Sequence, residues 1–223
     1  MSGLPGFGDM LAEADRANQK RRQDREAAHL PDTWDEGIAL HRQQIAAYDK
    51  AIRAGDWRLA NAISQEADKL AVKLNGGDTG ILADKETSAG YVLARRCAAP
   101  AGTVPLWGQS GAFQVTVTAQ DIPVAIKFDG LFGLGTDGFE ARVVDKDRPF
   151  ISPTGFRSFL SNVPVGREVG VDRYIIGVIE DHVAHELKNR LVMVRPPEQL
   201  YDPPPKAPRE KRPRKAAPAA ERG

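Results

Sequence analysis

A single cysteine, Cys97, stands among 223 residues, which excludes an intrachain disulfide and any zinc site built on paired cysteines, and fits a reducing compartment. Long apolar runs are missing as well. None exceeds a few residues, and the start "MSGLPGFGDML" has no basic region followed by an apolar stretch, so neither a signal peptide nor a membrane span is expected and the protein is expected in the cytoplasm. From Arg195 onward apolar residues themselves run out: "RPPEQLYDPPPKAPREKRPRKAAPAAERG" is proline-rich and basic, and cannot bury enough surface to offset the entropy of ordering. Residues 196–223 are therefore expected to be a disordered basic tail. Residues 203–223 carry a formal charge of +5 and the rest of the chain −4, so the net +1 hides a mildly acidic body and a tail suited to polyanions. Its cations Lys206, Arg209, Lys211, Arg212, Arg214 and Lys215 are the candidate nucleic-acid contacts.

What remains is enough for one good-sized domain or two small ones. Residues 1–30 read as a solvated helix or loose N-terminus, helical from Asp9 to about Ala28, with basic Lys20, Arg21, Arg22 and Arg25 interleaved with acids. Residues 31–78 read as a helical hairpin. Thr33 followed by Glu36 forms a capping box after Pro31, and Trp34, Ile38, His41, Ile45, Tyr48 and Ile52 make one stripe on a helix ending at Gly55. Asp56 caps a second helix, on which Trp57, Ala60, Ile63, Ala67, Leu70 and Leu74 repeat the pattern until Asn75, Gly76 and Gly77. The turn "AYDKAIRAGDWRLA" looks like one tetratricopeptide unit, but an array needs several. Trp34, Tyr48 and Trp57 are expected in the seam or on a neighbouring surface, where they are candidates for partner binding.

Residues 79–195 change to short β-branched and aromatic runs: "YVLARR", "TVPLW", "AFQVTVTA", "VAIKF", "FEARVVD" and "RLVMVR". "FQVTVTA" alternates cleanly, as a half-buried antiparallel strand does. A short helical piece is expected around Gly155 to Leu160 and a longer helix from about Asp172 to Asn189, with Ile175, Ile179, Val183 and Leu187 on its apolar face. The expected fold is α+β: an N-terminal antiparallel helical hairpin, a mainly antiparallel sheet with one or two packed helices, and the tail.

Few motifs carry chemistry. Gly133, Gly135 and Gly138 spell G-x-G-x-x-G, but a strand follows where a dinucleotide site needs a helix, so the segment reads as a glycine-rich hairpin loop, with Leu131, Phe132 and Leu134 expected to be exposed as candidate partner contacts. His182 and His185 lie three apart on the last helix and are a weak metal candidate; helical phase puts His182 at the rim of the apolar face and His185 further round toward solvent, which suits surface histidines, and no metal or other cofactor is expected. His41 is expected to be a packed histidine. Arg95 and Arg96 would lower the Cys97 thiol pKa, but a small buried residue in or after a strand is the favoured reading. In "DRPFISPTGFRSFL", Ser152 or Thr154 would cap a helix whose first turn, with Gly155 and Arg157, makes an anion or phosphate cradle. The duller alternative has these residues capping a helix that anchors Phe150, Phe156 and Phe159, with Arg157 paired to Asp147.

At this motif the chain resembles a family of small proteins, without an assigned activity, encoded on bacterial plasmids, integrative conjugative elements and some phages. The likeness rests on "PFISPTGFRSFL" (Pro149–Leu160) and extends to "LNGGDTGIL", "AAPAGTVPLWGQSGAF" and "LKNRLVMV", from about Trp34 to Arg195. Phe156 stands where the family pattern has Tyr. The resemblance brings no catalytic residues; it implies a bacterial host and a setting of DNA transfer, DNA modification or defence evasion. The leading expectation is a non-enzymatic accessory protein of a mobile element that binds an unidentified protein partner and, through its tail, DNA or RNA weakly and without specificity. The alternatives are an enzyme acting on nucleic acid or a phosphorylated substrate through the Asp145–Arg157 cluster, and a purely structural protein whose tail serves solubility.

Overall fold

The computed structural model describes residues 7–77, 87–132, 138–160 and 168–195. The first helix, α1 (Phe7–Glu26), is followed by the hairpin helices α2 (Trp34–Arg53) and α3 (Trp57–Leu74). Local chemistry sets their ends. The Thr33 hydroxyl accepts the Glu36 N–H at 3.4 Å and donates to the Glu36 carboxylate at 2.7 Å, so the capping pair is closed between the two side chains. Gly55, at φ +70°, stops α2 in a left-handed residue that a Cβ would disfavour. Asp56 then accepts the Leu59 N–H at 3.0 Å and starts α3.

The buried face of α2 is formed by Gly37, His41, Gln44, Ile45, Tyr48, Ala51 and Ile52, and that of α3 by Ala60, Ala67, Leu70 and Ala71. These residues split between two cores. Ile45, Tyr48, Ala51, Ile52, Ala60 and Ala67 join the cluster that also contains the sheet and the last helix. Leu70 and Ala71 join a smaller one with Ala27, Leu30, Ala89 and Leu93. Ile45, only 2% exposed, lies inside the larger cluster. Ile45→Ala should therefore cost about 2–5 kcal/mol in urea unfolding; a change indistinguishable from zero would mean that the helices do not enclose it.

The sheet is a four-stranded antiparallel meander, β1-β2-β3-β4. Its strands are β1 (Gly111–Val117), β2 (Ile122–Phe128), β3 (Phe139–Val143) and β4 (Phe156–Phe159). Register puts Phe113 beside Ile126, Val115 beside Val124, Ile126 beside Ala141, and Phe128 beside Phe139. Helix α5 (Val171–His185) supplies Val171, Ile175, Ile179 and Val183 to the same core. On the opposite face Lys127 and Arg142 flank Glu140 at 3.8 and 3.0 Å. The fold is α+β, as the patterning implies.

Four local expectations change. "YVLARR" is not a strand but part of α4 (Ala89–Arg96): Ala89, Leu93 and Cys97 are buried one turn apart, and packing on Leu70 and Ala71 overrides the β-preference of Tyr91 and Val92. "TVPLW" forms no strand, because Trp107 turns inward to the core. "RLVMVR" contributes only a bridge, Val192 to Phe150, the chain being diverted beforehand by left-handed Lys188 and Asn189. The segment expected to be helical around Gly155 to Leu160 is edge strand β4. Gly155, at φ +69°, brings the backbone so close to β3 that a Cβ there would meet Val143 at 2.8 Å, and its carbonyl accepts the Val143 N–H at 2.9 Å.

Candidate interaction surfaces

Within the polar segment from Asp145 to Arg157, Asp145, Ser152 and Thr154 bond inside the segment itself, and Arg148 reaches back to the β1–β2 turn. Asp145 accepts the Asp147 N–H at 3.0 Å, and Arg148 donates to the Asp121 carbonyl at 2.7 Å. Buried Ser152 bonds the Thr154 hydroxyl at 2.9 Å, while that hydroxyl donates to the Phe156 carbonyl at 2.9 Å and accepts the Phe156 N–H at 3.3 Å. Both polar backbone groups of Phe156 are thereby capped at a sheet edge, where open backbone invites pairing with another chain. Because the segment is a turn into β4, the helix N-terminus required for the anion cradle of Ser152, Thr154, Gly155 and Arg157 is absent. Phe150 is buried as expected, Phe159 is half-buried and stacked on Phe139 at 4.7 Å, but Phe156 is 37% exposed with Arg142 over its ring at 4.8 Å. Exposed Arg157 projects over Phe159, 5.9 Å from the ring centroid.

The two late histidines part company. His182 is buried, edge-on to Phe159 at 5.4 Å, whereas His185 is exposed and paired with Asp181 at 3.0 Å. His182, expected at the rim of the apolar face of α5, is covered there by β4, whereas His185 lies toward solvent as expected. Among the described residues no group of three histidine, cysteine or acidic side chains is placed to hold a metal. His41 is the packed histidine foreseen, its Nδ1 3.3 Å from the Gln44 amide oxygen and its ring 5.0 Å from Phe132. Cys97 is buried after α4 rather than after a strand, and burial pushes its thiol pKa up, away from reactivity.

Burial holds the pKa of His41 down, and burial followed by the Arg157 charge does the same for His182. Both rings stay neutral in the native state at a pH where the unfolded chain has begun to bind protons. Their contribution is intact above the unfolded histidine pKa of about 6.5 and is lost as pH falls below it. Urea midpoints should decline from pH 7.5 toward 5.5, less steeply in His41→Phe; a midpoint that rises on acidification would contradict neutral burial.

Among the described residues, an apolar concavity lies on the α2–α3 hairpin. Leu30, Leu40, Ala47, Leu59, Ala62 and Ile63 line an opening of about 530 Å³ together with His29, Gln43, Glu66 and buried Gln44. Leu59 is 48% exposed there, and His29 meets Glu66 at 2.9 Å. Ile63 belongs to the stripe read from the sequence, but Leu40, Ala47, Leu59 and Ala62 do not; they form a second, thinner stripe at i, i+7 on α2 and i, i+3 on α3. Of the aromatic candidates, Trp34 is 40% exposed at the start of α2, Trp57 and Phe132 are half-buried, and Tyr48 is inside the core against Gly108. The tail cations Lys206 to Lys215, and Gly133 and Gly135, lie outside the described residues.

Residues 112–189, from β1 through the turn that follows α5, match a family described as the KlcB third domain. The chain is similar to Protein KlcB of Escherichia coli, 33% identical over 179 residues that make up 79% of this chain and 43% of that protein. A second Escherichia coli Protein KlcB is 33% identical over 153 residues, 69% of this chain and 32% of that protein. The chain thus spans less than half the length of these relatives. No solved structure matches it, and no helix among the described residues is long and apolar enough to cross a membrane.

Proposed function

We propose that this chain, related to the KlcB proteins, is a non-enzymatic accessory protein of a bacterial mobile genetic element and works by binding, in DNA transfer, DNA modification or defence evasion. A protein partner docks on the apolar outer surface of the α2–α3 hairpin. The basic tail adds weak, sequence-blind attraction to DNA or RNA in the cytoplasm. The observation that carries this reading is the contrast between two surfaces. An enzyme needs its acid, base and anion-holding groups converging on one concavity, whereas Asp145, Asp147 and Arg157 lie exposed and the Ser152 and Thr154 hydroxyls are bonded within a turn. The hairpin instead offers an open, apolar groove of the kind that accepts an amphipathic helix.

The test is capture of partners from nuclease-treated host extract by the full chain and by two surface variants. Leu59→Asp should abolish capture and Arg157→Glu should leave it unchanged. The opposite pattern would move the functional surface to β4 and return the enzymatic alternative.

A further inference from the structure

Strand β4 is the least secured element of the sheet. It has four residues, lies at the sheet edge beside β3, and leaves Phe156, Arg157 and Ser158 exposed. Of its side chains only Phe159 is half-buried, stacked on Phe139 at 4.7 Å and edge to face with the imidazole of His182 at 5.4 Å. Helix α5 is anchored far more firmly, by Val171, Ile175, Ile179 and Val183, all fully buried. A perturbation at the contact between Phe159 and His182 is therefore relieved by β4, since local opening begins where few apolar contacts hold an element.

One side of that contact is titratable. His182 is 8% exposed, and its Nε2 is buried with no hydrogen-bond partner among the described residues. A neutral imidazole tolerates this place, whereas an imidazolium, a donor at both nitrogens, leaves a charged N–H unmet there. Few charges face the ring. From β4 comes Arg157, whose guanidinium lies 5.9 Å from the Phe159 centroid and repels a second cation. From α5 come Glu186 and Asp181, the latter already 3.0 Å from His185, and from the turn before β4 comes the Ile151 carbonyl. Burial first, and the Arg157 charge after it, hold the ring's pKa below the usual histidine value against the pull of Glu186, Ile151 and Asp181.

From this geometry we infer that His182 is a proton-operated catch on β4: with the ring neutral the strand stays closed over α5, and when the ring takes up a proton the strand lifts away while β1, β2, β3 and α5 stay folded. Lifting uncovers Phe139 and the edge of β3 that β4 occupies, so acid opens a covered sheet edge to pairing. Because the closed form binds the proton less readily than the open one, closure is fully favoured above the unfolded histidine pKa of about 6.5 and weakens as pH falls below it.

Hydrogen exchange of the full chain, read as protection relative to the intrinsic rate at each pH, tests the catch. Between pH 7.5 and 5.5 the protection of residues 156–159 should fall about tenfold, as linkage gives for a ring that titrates when open and stays neutral when closed. His182→Phe keeps a ring beneath Phe159 with nothing to titrate, so the fall should vanish. His41→Phe and His185→Gln should leave it in place, since His41 packs on Phe132 and His185 pairs with Asp181. Should His182→Phe fail to fold, nuclear magnetic resonance of the wild-type His182 ring replaces it: the closed protein should keep that ring neutral well below pH 6.5. A fall that persists in His182→Phe, or that β1 matches in size in every protein, belongs to another group or to global unfolding and overturns the catch. No fall in β4, or a His182 ring that takes up its proton near pH 6.5, overturns it as well.

Discussion

Trp107→Ala is expected to remove about 3–5 kcal/mol of stability, which is a large share of the roughly 5–15 kcal/mol that a domain of this kind possesses. The side chain is fully buried, with its ring edge-to-face to Phe128 of β2 at 5.9 Å and to Tyr174 of α5 at 5.1 Å. Its indole N–H donates to the Val169 carbonyl at 3.0 Å, and its backbone N–H donates to the Asp49 carboxylate of α2 at 3.0 Å. Hairpin, sheet and closing helix thus meet on one residue. Alanine leaves a cavity among all three and removes the bond to the Val169 carbonyl, so the three should loosen together. Urea unfolding should show one transition at a much lower midpoint. Trp107→Phe should fall between, since it keeps a ring but loses the indole bond to the carbonyl of exposed Val169, worth about 0.5–1.5 kcal/mol. A loss under about 1 kcal/mol for the alanine variant would show that the junction is not a shared core.

How far the sequence discloses this arrangement depends on whether the deciding contacts are local. Helices α2 and α3 are legible because Thr33, Gly55 and Asp56 fix their ends and stripes such as Ile45, Tyr48 and Ile52 fix the buried side. Strands β1 to β3 are legible because Phe113, Val115 and Val117 alternate with polar neighbours. "YVLARR" misleads because so short a segment fits either period, and the choice is made by Leu70 and Ala71, some twenty residues away. Strand β4 misleads for a similar reason. Its Ser, Pro, Thr and Gly look like a helix start, whereas the close approach of Gly155 to Val143 and the stacking of Phe159 on Phe139 dictate pairing with β3. With β4 in place of a helix, the helix N-terminus that the cradle calls for is absent, and His182, expected at the rim of the apolar face, is covered.

The groove leaves little trace in the sequence because part of its lining is exposed alanine. Ala47 and Ala62 contribute little to any periodic signal, yet their small size is what opens space between Leu40, Leu59 and Ile63. The partner surface expected at Trp34, Tyr48 and Trp57 followed the larger rings. The fold sends Tyr48 inward and leaves Trp34 at the helix start, away from the groove lining. Large aromatic residues are conspicuous in a sequence whether they anchor a core or an interface; exposure is what separates the two.

The central claim, that this protein works by binding rather than by chemistry at Asp145–Arg157, is tested most directly by titrating a fluorescent duplex over a salt series. Three proteins are compared: the full chain, residues 1–202, and Arg157→Glu. Cations on a flexible tail neutralise phosphates but cannot hold base edges in register, so affinity should be indifferent to sequence. With about five to seven phosphate contacts the slope of log affinity against log salt should be near −4 to −6, so that a fourfold rise in salt weakens binding about 250- to 4,000-fold. Residues 1–202 should lose most of the binding, and Arg157→Glu should match the full chain. Tight binding by residues 1–202, abolished by Arg157→Glu, would contradict the claim and make the turn into β4 the nucleic-acid or phosphate site.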